Sequence, residues 1–178
     1  TSLKAYERSK YIARVFQNPH AGTAPHLSVL ENFRLAALRT QRKQMKIGLV
    51  KSFEKATQAK IEELGLGLEN KIHQPMGNLS GGQRQALSLL MSTMDDTQLL
   101  LLDEPTAALD PKSSELVMRT ANLLIEKNNL TTLWVTHHLK SVIEYGNRVL
   151  LMKHGIIDRD LKGAQKQQLT LPELYSWF

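Results

Sequence analysis

Cysteine is absent from the 178 residues, which excludes a disulfide framework, a thiolate metal site and a thiol nucleophile. No apolar run approaches the ~18–20 residues that cross a bilayer, so nothing in the sequence reads as a membrane span. The stretch Thr1 to Glu7 lacks the apolar core of a secretory signal. There is no internal repeat and no low-complexity tract. The dipeptide Gly-Lys never occurs, so a GxxxxGK[ST] phosphate loop is not among these residues.

What is present is ordinary for a globular chain. Hydrophobic residues make up 42%, which excludes wholesale disorder and collagen-like structure. The length suits one domain able to bury about two-thirds of its unfolded surface. A net charge of +6 suits nucleic acid, phosphates or an anionic membrane surface, without choosing among them.

Along the chain the pattern changes twice. Residues 11–16 (YIARVF) read as a strand that stops at Asn18-Pro19, and residues 20–28 read as a loop. Residues 29–95 read as helical. One apolar face runs through Leu30, Phe33, Ala37 and Leu38, ending in the basic residues Arg39, Arg42 and Lys43. A second runs through Leu49, Phe53, Ala56, the stem of Lys60, Ile61 and Leu64 and stops at Gly65. A third helix begins at Ser80 and carries Leu87, Leu90, Met91 and Met94. From residue 98 short apolar runs alternate with helices. Strands are predicted at 99–102, 133–136 and 148–152, and helices at 111–127 and 138–145. Asp110 caps the first of these helices, and Lys153-His154-Gly155 forms a hairpin turn into Ile156-Ile157. Alternating strand and helix predicts a parallel α/β sheet. Leu171 and Trp177-Phe178 are expected to pack back as a short amphipathic helix.

Two motifs carry chemistry. In Leu79-Ser80-Gly81-Gly82-Gln83-Arg84-Gln85, Ser80 is placed as an N-cap with Gln83 three residues on, as in a capping box. Two glycines in the first turn leave backbone N–H groups bare at the positive end of the helix, where a phosphate can approach. In residues 99–105 (LLLLDEP), an apolar strand ends in two carboxylates at the edge of a parallel sheet where ligands bind. One acid there can hold magnesium and its neighbour can orient or deprotonate a water. An ordinary strand ending in an acidic turn would carry the same pair. Gln17 follows a strand, where its amide reaches either a metal or only a loop. His137 follows another, where an imidazole binds a phosphate or is merely structural. His138 is adjacent, and the pair does not read as a metal site.

In this order the residues resemble the nucleotide-binding domain of ABC-type ATPases. They match its Q-loop (Gln17), signature motif (LSGGQRQ, 79–85), Walker B strand with catalytic glutamate (Asp103, Glu104), D-loop (Ala107 to Asp110) and H-loop (His137). The resemblance runs from Tyr11 to the hairpin at Gly155. It implies a P-loop NTPase-like α/β core with a parallel sheet that lacks its N-terminal strands and phosphate loop. Residues 1–28 and 96–178 would form that core, with an α-helical subdomain inserted at 29–95. The resemblance further implies that Glu104 and His137 are catalytic, and that Gln17 and Asp103 hold Mg2+. Ser80, Gly81, Gly82, Gln83 and Asp110 would bind ATP.

Family members work as head-to-tail dimers with ATP between the phosphate loop of one subunit and the signature of the other. The chain alone is therefore expected to bind ATP weakly and not to hydrolyse it, and its uncovered sheet to favour self-association. Three features resemble importer ATPases: the short helical region, the plain LSGGQ and the Ala21-Gly22-Thr23-Ala24-Pro25 stretch. The last, with residues 144–148 (EYGNR), resembles ATPases of bacterial amino-acid importers, including tryptophan/tyrosine systems. The implied partners are a transmembrane permease, a second ATPase subunit and, indirectly, a solute-binding protein, at the cytoplasmic face of the membrane. Two alternatives are a non-transport ABC ATPase acting on nucleic acid or the ribosome, and a non-catalytic fragment. Against nucleic acid, the basic residues (Arg34, Arg39, Lys46, Lys51, Lys55, Lys60) are scattered and have no aromatic platform beside them.

Overall fold

A computed structural model describes residues 2–39, 48–94 and 97–178. Arg42 and Lys43 of the basic cluster, and Lys46, lie outside the described residues. The chain forms two compact units, Thr1–Val135 and Thr136–Phe178.

The first unit opens with a short helix α1 (Ala5–Arg8) and strand β1 (Ile12–Val15). Among the described residues the elements that follow before the next strand are helical: α2 (Val29–Ala37), α3 (Lys51–Glu62), two single 3-10 turns at Glu69–Lys71 and Met76–Asn78, and α4 (Gly81–Ser92). Strand β2 (Leu99–Asp103), helix α5 (Pro111–Asn128) and strand β3 (Thr131–Val135) complete it. The three strands form one sheet in the order β1-β2-β3, parallel throughout. The predicted parallel α/β architecture is present.

Sheet register explains both the core and the open side. Ala13, Val15, Leu100 and Leu102 point to one face and are buried with Phe33, Ile61, Leu87, Leu89 and Val117. The opposite parity places Arg14, Leu101, Asp103, Leu133 and Val135 on the other face. There Leu133 and Val135 are 51% and 52% exposed. Strand β3 begins two residues earlier than expected. Thr131 and Thr132 pair with Leu99 and Leu100, and β-branched threonine suits the pleat.

Helix entry points follow local chemistry. Ser28 caps α2 in a reciprocal box with Glu31, whose carboxylate accepts from the Ser28 backbone N–H at 2.7 Å and hydroxyl at 2.6 Å. Those two bonds hold the Glu31 carboxyl below its usual range, the hydroxyl contributing most. The buried Asn32 closes the preceding loop: its amide donates to Ala24, Leu27 and Ser28 carbonyls and its oxygen accepts from the Ala24 N–H. Asp110 caps α5 with Pro111 in the first turn, as predicted. In α3 the buried stripe differs from the expected one. Thr57 and Ile61 are buried, with Phe53 and Leu64 packed beside them, whereas Ala56, Lys60 and Leu49 are exposed. The stripe follows i, i+4, i+8 from Phe53, and Thr57 buries its methyl where an apolar-only count passes it over.

The second unit contains α6 (Leu139–Glu144), the antiparallel hairpin β4 (Arg148–Lys153) and β5 (Ile156–Lys162), α7 (Ala164–Gln167) and α8 (Leu171–Tyr175). His154 and Gly155 both have positive φ, 50° and 81°, the two-residue turn that matches strand twist. Leu151, Leu169, Leu174 and Trp177 form its core. Trp177 packs back as expected, but Phe178 is 81% exposed and Leu171 only half-buried, because the buried face of α8 runs through Leu174. Arg148 donates to both oxygens of Asp160, at 2.8 and 2.6 Å. This bidentate pairing lowers the Asp160 carboxyl and raises the arginine.

Candidate active site

The ends of β1 and β2 bring three of the predicted residues together. Gln17 lies two residues beyond β1, Asp103 is the last residue of β2, and Glu104 follows it. The Gln17 amide donates to Oε2 of Glu104 at 3.4 Å. Asp103 lies on the open face of the sheet, where Nη2 of Arg14 reaches its Oδ2 at 2.6 Å. The Arg14 guanidinium also lies 4.8 Å from the centre of the Phe16 ring.

Glu104 has φ 45°, a left-handed conformation that is uncommon outside glycine and, in a structure, clusters at functional sites. Its N–H donates to the Val135 carbonyl at 3.0 Å, and its own carbonyl accepts from the Ala107 N–H at 3.1 Å. The left-handed turn ends the strand's alternation at Glu104.

The start of α4 has the predicted capping box. The Ser80 hydroxyl accepts from the Gln83 N–H at 3.3 Å, and the Gln83 side-chain oxygen accepts from the Ser80 N–H at 3.2 Å. One of the two glycines has a packing reason besides the expected one. A Cβ on Gly82 would lie 2.6 Å from Cβ and 3.1 Å from Cα of Ser113 in α5. Gly82 is therefore required by helix–helix contact, whatever else approaches. A Cβ on Gly81 would meet only the tip of Leu109, at 3.0 Å. Asp110, whose oxygen accepts from the Ser113 N–H at 3.0 Å, has its carboxyl held below the usual range by the Ser113 hydroxyl first and that N–H second. Ser113 thus sits between the first turn of α4 and Asp110.

His137 belongs to the second unit, where it is exposed. His138 precedes α6 and its Nδ1 lies 2.9 Å from the Ser141 hydroxyl.

Two buried side chains of α4 escaped sequence reasoning. Gln85 donates to the carbonyls of Phe16 at 2.8 Å and Pro105 at 3.1 Å. Arg84 is buried, donating to the carbonyls of Gly77 and Leu79 at 3.0 Å each and lying against the His20 ring. The signal available was two polar residues on a helix whose neighbours, Ala86, Leu87, Leu89 and Leu90, are all apolar.

Comparison with known proteins decides the family. The sequence profile of the ABC transporter family matches residues 2–107. The chain belongs to the ABC transporter family. The tyrosine transport ATP-binding protein of Clostridioides difficile is 39% identical over 100% of this chain and 70% of its own length. The phosphonates import ATP-binding protein of Agrobacterium fabrum is 29% identical over 98% of this chain and 59% of its own. The chain thus spans only part of the length of these relatives, 70% of the first and 59% of the second. Among solved structures, a dimeric ATP-binding cassette in a post-hydrolysis state, bound to ADP and Pi, is similar with a TM-score of 0.70 at 27% identity. It covers 90% of this chain and 68% of that one.

Members of the ABC transporter family use Mg2+, and the oxygen donors here suit that ion. Asp103 supplies a carboxylate and Gln17 an amide oxygen, both hard ligands. In this structure Oδ2 of Asp103 is paired with the Arg14 guanidinium at 2.6 Å. Mg2+ is ordinarily held by one or two carboxylates together with waters and substrate phosphates, not by an all-protein cage. Among the described residues no helix is long and apolar enough to cross a membrane.

Proposed function

We propose that the chain is part of the ATP-binding subunit of a bacterial ABC importer. It would couple ATP binding and hydrolysis to uptake of an amino acid, tyrosine being the solute that the relative's name gives. The observation that carries this reading is the meeting of Gln17 and Glu104 beside Asp103 at the ends of two adjacent parallel strands.

Asp103 is the magnesium residue and Gln17 its partner at the metal side. When bound, Mg2+ neutralises charge on the phosphates and fixes their orientation. Glu104 orients the attacking water and accepts its proton. His137 steadies the γ-phosphate. Ser80, Gly81, Gly82 and Gln83, with Asp110, face the nucleotide held by a second subunit in a head-to-tail dimer. Residues 29–95 act as the helical subdomain that meets the permease, and 1–28 with 96–178 as the catalytic core. The protein works at the cytoplasmic face of the membrane, with a solute-binding protein acting on the far side. The 178 residues alone, holding no GxxxxGK[ST], do not hydrolyse ATP at an appreciable rate.

The test of the importer reading is affinity capture of the whole protein from a native bacterial membrane extract. Recovery of a polytopic membrane protein in stoichiometric amount is expected. Recovery of nucleic acid or ribosomal protein in its place would contradict the reading.

A further inference from the structure

We propose that Gln85 is a positioning residue that ties the signature helix α4 to both loops bearing the site residues Gln17 and Glu104. The inference rests on the reading that those two residues serve ATP hydrolysis. Gln85 is 1% exposed, and its amide donates to the Phe16 carbonyl at 2.8 Å and the Pro105 carbonyl at 3.1 Å. Each carbonyl is directly adjacent to a site residue: Phe16 precedes Gln17, and Pro105 follows Glu104. A primary amide carries two N–H donors, so one side chain serves both carbonyls at once.

The second anchor matters because of the backbone at Glu104. A left-handed glutamate persists only where the surroundings over-determine it. The Glu104 N–H is held by the Val135 carbonyl, and the Glu104 carbonyl by the Ala107 N–H. Gln85 fixes the next carbonyl along, at Pro105, from the opposite element. The same helix begins at Ser80-Gly81-Gly82, so one rigid rod joins the signature to the acid loop and to the end of β1. A shift of α4 then moves Gln17 and Glu104 with it or breaks two buried hydrogen bonds. Contact made at the signature is thereby transmitted to the acid of the same subunit.

Amide hydrogen exchange on the 178-residue chain tests the link directly. Gln85→Met keeps the volume and removes both donors. Exchange at Glu104 and Ala107 is expected to quicken by about tenfold, the step that loss of one net hydrogen bond gives. The amides of Leu100 to Leu102 keep their wild-type rates. Unchanged exchange at Glu104 and Ala107 would overturn the proposal. If Gln85→Met does not fold, Gln85→Ala is read in the same way.

In the whole protein, kcat for ATP is expected to fall by about 10–100-fold with the ATP dissociation constant unchanged, as for a misplaced catalytic group. An unchanged kcat, or a parallel loss of ATP binding, would count against it. Glu104→Gln assayed beside it separates the two ideas. If that variant turned over normally, the site reading would fail, while the exchange result would still report on the Gln85 link.

Discussion

Glu104→Gln in the whole protein is expected to lose turnover by about 10²–10⁴-fold, the contribution of a positioned general base, while still binding Mg-ATP. The substitution is nearly isosteric. The new side chain keeps an oxygen to accept from the Gln17 amide, now at 3.4 Å from Oε2 of Glu104. The backbone bonds that hold residue 104, to Val135 and from Ala107, involve no side-chain atom and survive. What disappears is a basic oxygen able to take a proton from water. Binding and chemistry should therefore separate, with ATP trapped between two subunits in a closed dimer. Nucleotide retention on gel filtration, beside steady-state phosphate release, reads both. Wild-type release by the variant would show that Glu104 is not the base.

Gly82→Ala should destabilise the 178-residue chain by about 1–3 kcal/mol, the usual cost of forcing an extra methyl into a packed contact. Alanine is the better helix former by about 1 kcal/mol, so the sign depends on which effect is larger. The new Cβ would sit 2.6 Å from Cβ and 3.1 Å from Cα of Ser113. Neither atom can rotate away, since both are fixed to the backbone of α5. The clash therefore wins. Gly81→Ala is the control: its Cβ meets only the end of the Leu109 side chain at 3.0 Å, which can swing aside. Urea unfolding of Gly82→Ala, Ser113→Gly and the double variant should show a favourable coupling of about 1 kcal/mol or more between the two sites. Additive effects would mean that the helices do not meet at this point.

Capping chemistry was the most legible part of the fold. Ser80 with Gln83, and Asp110 with Pro111, announce helix starts through short-range hydrogen bonds that the sequence spacing alone specifies, and both starts lie where predicted. The His154-Gly155 turn was readable for the same reason. The α3 stripe was less so, because a threonine at 57 fills an apolar site and Ala56 looks apolar while facing water. The site was legible as a set of motifs. Its connections were not. The Gln17–Glu104 contact spans 87 residues of sequence, and Arg14 meets Asp103 only because strand register sets them on one face of the sheet. Gln85 and Arg84 were hidden because a polar residue on a helix reads as solvent-facing until packing places it. Gly82 was read for its bare N–H, whereas its missing side chain also makes room for Ser113.

On the proposed function, these residues form the acid half of an ATP-hydrolysing site that needs a phosphate loop to work. Steady-state ATP hydrolysis measures it most directly, comparing the 178-residue chain with the same chain joined to a relative's GxxxxGK[ST]-bearing segment. Hydrolysis is predicted only for the joined protein, and only when Glu104 is intact. Equal hydrolysis by the 178 residues alone, or tight Mg-ATP binding without turnover in the joined protein, would contradict it.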